Sequence, residues 1–160
     1  MKEPKGFSLI ELLIVVAIIL TIAAIAIPSL LRSRIAANEA AAVASIRTIS
    51  TAETAYAQTF PNIGYTCNLS DLGPPASGQP ISPTAGGIID AVLASGLKQG
   101  YTLSVSNCTG TPQVTYSSAA VPVTPGATGV RSFCSDASGT IWFGSDGTAS
   151  TCRTAGAVLQ

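Results

Sequence analysis

Gly6-Phe7-Ser8-Leu9-Ile10-Glu11 opens a run that stays almost wholly apolar from Phe7 to Leu31, and its reading decides the fold. About 20 apolar residues in a helix cross the hydrocarbon core of a bilayer. Glu11 is the one charged residue inside the run. A charge within a spanning segment costs about 2.5 to 3.5 kcal/mol at the bilayer centre and less toward the interface, so a carboxylate kept there points to a function.

Two plain readings stand beside that one. A removable secretory signal would use Met1 to Gly6 as its charged start and Ala24-Ile25-Ala26 as its cleavage site. The apolar stretch exceeds the roughly 7 to 15 residues of a signal core, and a carboxylate in its first turn weakens that reading further. A simple membrane anchor would instead place Glu11 near enough to the interface to reach water. The residues themselves favour a third reading. Lys5-Gly6, then Phe7-Ser8-Leu9-Ile10-Glu11-Leu12-Leu13-Ile14-Val15-Val16-Ala17-Ile18-Ile19, then Ala23-Ala24-Ile25-Ala26-Ile27-Pro28 resembles the class III signal and first helix of type IV pilins and type II secretion pseudopilins. The likeness covers about the first 35 residues.

The resemblance implies that a prepilin peptidase removes residues 1–6 by cutting after Gly6 and that the new terminus, Phe7, is methylated. It implies that Glu11 neutralises the terminal amine of a neighbouring subunit as the helix joins a growing filament. Physical chemistry supports such a contact. An ammonium and a carboxylate, both costly in lipid, attract strongly where the dielectric is low and recover part of their lost solvation. Each amine serves the next subunit's carboxylate, a heterologous contact, and heterologous contacts that do not close build helical filaments.

Downstream, residues 7 to about 59 read as one helix, with 7–31 as membrane span and filament core and 32–59 amphipathic. Glycine is absent from 7 through 63, and Pro28 is the only proline in the helix. Ile35, Ala42, Ile46, Ile49, Tyr56 and Phe60 recur at steps of three, four or seven as one apolar stripe for packing on a sheet. Arg32, Arg34, Glu39, Arg47 and Glu53 are expected mostly elsewhere. Pro28 removes a backbone donor and predicts a kink or local opening. By resemblance it marks where such helices curve and lose order in filaments, although Leu20-Thr21-Ile22 stands where a glycine often begins the corresponding triplet, which favours retained helix.

Beyond residue 60 the composition changes, with 14 of 15 glycines and 8 of 10 prolines, so turns and strands follow. Residues 61–86 read as an irregular loop and Ile88–Ala94 as a short helix ended by Gly96. Tyr101–Ser106, Gln113–Ser118, Arg131–Ser135 and Thr140–Gly144 read as strands, the last two joined as a hairpin by Asp136-Ala137-Ser138-Gly139. The expected fold is α+β and pilin-like: a long amino-terminal helical spine packed on an antiparallel sheet of three to four strands, residues 60–160 forming the head.

Four cysteines behind an export signal suggest two disulfides formed in an oxidising compartment. Three pairings are open; Cys67 with Cys108 and Cys134 with Cys152 is favoured, the second closing a carboxyl-terminal loop. A zinc site is disfavoured, since there is no CxxC pair and no histidine. Asp136 and Asp146 could share calcium through turn carbonyls, as pseudopilins of the family do near the carboxyl terminus, but the EF-hand spacing is absent. No metal or cofactor is expected. Asn68-Leu69-Ser70 and Asn107-Cys108-Thr109 fit the short N-glycosylation pattern.

A formal net charge of +0 and a pI near 6.1 give no electrostatic case for nucleic-acid binding. Without histidine, P-loop or nucleophile-elbow motif, no enzyme is expected. The resemblance implies a filament subunit, lodged first in the inner membrane and then in a surface pilus. Its partners would be copies of itself, the peptidase, the assembly platform and the membrane. A secretion pseudopilin confined to the periplasm is the near alternative, and a monomeric anchored or secreted binding domain the distant one.

Overall fold

The computed structural model describes residues 6–145, 147–148 and 156–159. The chain divides into two units, Met1–Arg34 and Ile35–Gln160. One helix, α1 (Leu9–Thr59), contributes to both.

In the first unit the helix carries no packing face of its own. Every described residue to Arg34 is exposed except the half-buried Ala23, and Ile10, Leu13, Ile18, Ile22 and Ile25 are all bare. Thr21 turns its hydroxyl inward onto the Ala17 carbonyl at 2.8 Å, so the polar group adds little to the apolar surface. The helix is long and apolar enough to cross a membrane. It runs through Pro28 without interruption, so the expected local opening does not occur in this structure. One missing backbone bond is outweighed by strong helix formers on both sides.

In the second unit, α1 packs on a six-stranded antiparallel meander: β1 (Leu97–Lys98), β2 (Tyr101–Gly110), β3 (Gln113–Pro122), β4 (Ser132–Asp136), β5 (Ile141–Gly144) and β6 (Ala157–Val158), each beside its sequence neighbour. The sequence predicts only three to four strands. The extra two are the edge strands β1 and β6, which are two residues long and too short to show a period of two. The four longer strands stand where alternation places them. In β2, Tyr101, Leu103 and Val105 are buried while Thr102, Ser104 and Ser106 are exposed. These inward residues join Ala42, Ile46, Ile49, Ala52 and Tyr56 of α1 with Tyr116, Ala120, Phe133 and Ile141 in one core.

The predicted stripe on α1 needs one correction. Ala42, Ile46, Ile49 and Tyr56 are buried as expected, but Glu39 and Glu53 are buried with them. Positions 39, 42, 46, 49, 53 and 56 form a single helical face, and two of its six members are carboxylic acids. Arg32, Arg34 and Arg47 are exposed.

The predicted helix Ile88–Ala94 shortens to α2 (Ala91–Ala94), capped by the Asp90 side chain, which accepts from the Leu93 N–H at 2.9 Å. Ile88 and Ile89 are withheld from it because both their N–H groups bond to the Leu72 carbonyl. The irregular loop contains a 3₁₀ turn at Leu69–Leu72 and is tied to the β2–β3 hairpin beside Gly64. There the Tyr65 N–H donates to the Gln113 carbonyl at 3.0 Å and the Gln113 N–H to the Ile63 carbonyl at 2.7 Å. Gly64 has a φ of +81°, and a Cβ there would collide with the Gln113 carbonyl. Gly64→Ala is therefore expected to lower stability by more than about 1 kcal/mol in urea unfolding. A loss below a few tenths would show that the loop can part from the hairpin freely.

Alternation alone would put Cys108 on the exposed face with Thr102, Ser104 and Ser106. Ser106 pairs with Ser117 and Thr109 with Thr115, however, so Asn107 and Cys108 oppose a single residue in a bulge. Asn107 takes a φ of +56° there. The parity change lets Cys108 reach back to Cys67, forming the expected disulfide across a sequence separation of 41. Cys134 has a partner; Cys152, assigned to it by the sequence reading, lies outside the described residues.

Candidate assembly site

The predicted processing and assembly residues are brought together at the start of α1. Gly6, Phe7 and Ser8 precede the helix in non-helical conformation and are exposed, leaving the Gly6–Phe7 peptide open to a hydrolase. The Ser8 N–H donates to Glu11 Oε2 at 2.8 Å, and the Ser8 carbonyl accepts from the Leu12 N–H at 3.2 Å. This is one half of a capping box, in which a carboxylate at the third helical position satisfies the backbone donor of the cap residue. The Ser-x-x-Glu spacing before an apolar run signals it in the sequence, a signal the reading of Glu11 as a pure intersubunit group passes over. Glu11 is thus held beside the backbone of Ser8, one residue from Phe7. Among the described residues its Oε1 has no partner, so one oxygen remains for a further donor.

The other charged contacts lie in the second unit, on the buried face of α1. Glu39 Oε2 accepts from Arg131 Nε at 2.8 Å and Nη2 at 2.6 Å, while Oε1 accepts from the N–H groups of Val130 and Arg131 at 3.0 and 3.1 Å. Burial raises the Glu39 pKa, but the Arg131 guanidinium and the two backbone donors outweigh it and hold the group below the ordinary value. The guanidinium also lies 5.6 Å from the Phe133 ring centre and 5.4 Å from that of Phe143, a cation–π arrangement. Tyr101 donates to the Arg131 carbonyl at 2.9 Å; burial, then the Glu39 charge, push its phenol up to about 12.

Glu53 is the opposite case. It is fully buried, its Oε2 accepts only the Thr66 N–H at 2.9 Å, and its Oε1 has no partner. Burial, with the Asp71 charge adding to it against the Thr66 bond, pushes its pKa up to about 7. Sequence reasoning missed Glu39, Glu53 and Arg131 as a set, because a hydropathy stripe counts only apolar positions and Arg131 stands 92 residues from Glu39.

Nothing in the described head gathers catalytic groups. A concavity of about 550 Å³ between α1 and the β4–β5 turn is lined by Ser50, Thr51, Thr54, Gln58, Tyr116 and Gly139 among others, with no carboxylate or cysteine. No cluster of three metal-ligating side chains occurs among the described residues. Asp136 accepts from the Ser138 N–H at 2.8 Å, an ordinary turn bond; Asp146, its suggested calcium partner, lies outside the described residues.

Residues 1–27 match the family described as the prokaryotic N-terminal methylation motif. The type IV wide pilus major component PilA4 of Thermus thermophilus is 42% identical over 72 residues, which make up 45% of this chain and 53% of that protein. The chain thus spans about half the length of the curated relative it matches. No solved structure matches it. A methylation motif at the head of an exposed apolar helix, an antiparallel sheet packed on the later part of that helix, and this identity to a pilus component are the features in which the chain is similar to type IV pilins.

Proposed function

We propose that the chain is the structural subunit of a type IV pilus filament. Residues 1–6 are removed after Gly6 by a prepilin peptidase, Phe7 is methylated, and the subunit waits in the inner membrane until an assembly platform draws it into a surface filament. The observation that carries this reading is the exposed helix of the first unit: its apolar side chains, from Leu9 to Leu31, are bare on all sides. So large an apolar surface requires a cover. Lipid supplies it in the precursor, and the same helix of other copies supplies it in the filament. Glu11 sets the register by accepting a neighbour's terminal amine with the oxygen its own cap leaves unused.

A pseudopilin of a secretion system would use the same helix. The pilus is favoured because the relative is a pilus component and because the head is cross-linked at Cys67 and Cys108. Glu11→Ala is expected to abolish filament yield while leaving cleavage after Gly6 intact, both read from a sheared surface fraction by amino-terminal sequencing and non-reduced intact mass. The wild-type chain should begin at N-methylated Phe7 and be lighter by four hydrogens than its reduced form, one pair for each two of its four cysteines. Undiminished filaments from the variant would end the register role. A chain beginning at Ile27, or one keeping Met1, would hand the function to an exported or anchored binding domain.

A further inference from the structure

The loop around Thr66 belongs mechanically to the hairpin tip, not to the helix beneath it. It is fastened to β2 and β3 by the Tyr65 and Gln113 backbone bonds, by the Cys67–Cys108 disulfide and by the tilted ring contact of Tyr65 with Tyr116, 4.9 Å between centres. To the buried face of α1 the Thr66 backbone makes one polar tie, its N–H on Glu53 Oε2. A second acid braces the loop from the other side: Asp71 Oδ2 accepts from Thr66 Oγ1 at 2.9 Å and Asn68 Nδ2 at 3.2 Å.

Among the described residues, the titratable groups that act on Glu53 are an acid and two phenols. Asp71 faces it from the 3₁₀ turn, Tyr116 from β3 with Tyr65 against its ring, and Tyr56 from its own helix. Neither ion pair among the described residues includes Glu53. A carboxylate in that position is a buried negative charge with one oxygen unpartnered and, among the described residues, no ion-pair partner to offset it, a state water would relieve. The neutral acid carries no such penalty.

We propose that Glu53 is a proton-operated catch, holding the loop 63–68 and the hairpin tip 107–115 against the helix while it is protonated and letting them lift together once it ionises. The disulfide keeps loop and hairpin in one piece as they move, so the opening exposes Glu53 to water without unravelling the sheet. The direction follows from linkage. A carboxyl that binds its proton more tightly when closed than when open favours the closed form below its open-state pKa, and that preference fades as pH rises through the closed-state value.

Hydrogen exchange on the full chain in detergent micelles tests this, with protection expressed relative to the intrinsic rate at each pH. Between pH 5 and pH 8 the protection of the Thr66, Tyr65 and Gln113 amides is expected to fall about 70-fold, from a carboxyl whose pKa moves from about 4.5 when open to about 7 when closed. Glu53→Gln should hold protection flat across that range. Asp71→Asn should leave a smaller fall with its midpoint at lower pH. Superimposable profiles for wild type and Glu53→Gln would overturn the proposal. If Glu53→Gln does not fold, Asp71→Asn decides, and an unmoved midpoint overturns it equally.

Discussion

Exchanging Arg131 for methionine is expected to lower the stability of the folded chain by about 2 to 3 kcal/mol at pH 7. Breaking a buried pair costs more than the pair itself contributes, because the surviving charge stays behind with too few partners. Here the survivor is Glu39, whose side chain is 8% exposed, whereas Arg131 is 42% exposed; that exposure sets the effect below the range of about 3 to 5 kcal/mol for a fully buried pair. Methionine keeps most of the contact with Phe133 and Phe143, so the loss isolates the charge. Acid changes the comparison in a defined direction. The folded-state pKa of Glu39 is depressed, so the stability it supplies is present above the ordinary value near 4.5 and is lost as pH falls through the folded value. Wild type and Arg131→Met should therefore converge in strong acid. The double variant Glu39→Gln/Arg131→Met should recover part of the loss, a non-additivity expected of side chains in contact. Urea unfolding in micelles reads all three, and a single-variant loss under about 0.5 kcal/mol would place the pair among ordinary surface contacts.

Removing the bridge with Cys67→Ala and Cys108→Ala together is expected to cost about 4 kcal/mol, the loop-closure entropy restored to an unfolded chain by opening a ring of this size. The ring follows from the sequence separation of 41. Substitution is preferred to reductant because it leaves Cys134 untouched. The bulge at Asn107 exists to bring Cys108 to Cys67, so the variant should also relax that end of β2, seen as faster exchange of the Thr109 and Thr115 amides. A cost under about 1 kcal/mol would mean that the unfolded chain already holds the two segments together.

The sequence shows some of this directly and hides the rest for identifiable reasons. Leu9–Thr59 is legible because glycine is absent and the apolar spacing persists, and the four longer strands because Tyr101, Leu103 and Val105 alternate with Thr102, Ser104 and Ser106. β1 and β6 are not legible, since two residues have no period. Cys108 is legible as a cysteine in search of a partner, but the bulge that turns it inward depends on pairing with β3. The motif around Gly6, Phe7 and Glu11 is visible at once because its residues are adjacent. The charged core is not: Glu39 and Glu53 look like solvated positions until Arg131, Thr66 and Asp71 arrive from distant segments. At residue 53 the local choice and the tertiary environment conflict, and such conflicts concentrate where a protein is strained or functional.

The order of strands carries a kinetic consequence. Because β1 through β6 follow one another across the sheet as they do along the chain, a polypeptide emerging in chain order can add each strand to the edge left by the one before. The first two steps close loops of two residues and the fourth a loop of four, which costs little entropy and suits rapid folding. The Glu39 contacts with Val130 and Arg131 span more than 90 positions, so they form only after the first three strands are laid down. The helix is clamped to the sheet late, and a chain released before Arg131 has emerged would carry a loosely held helix.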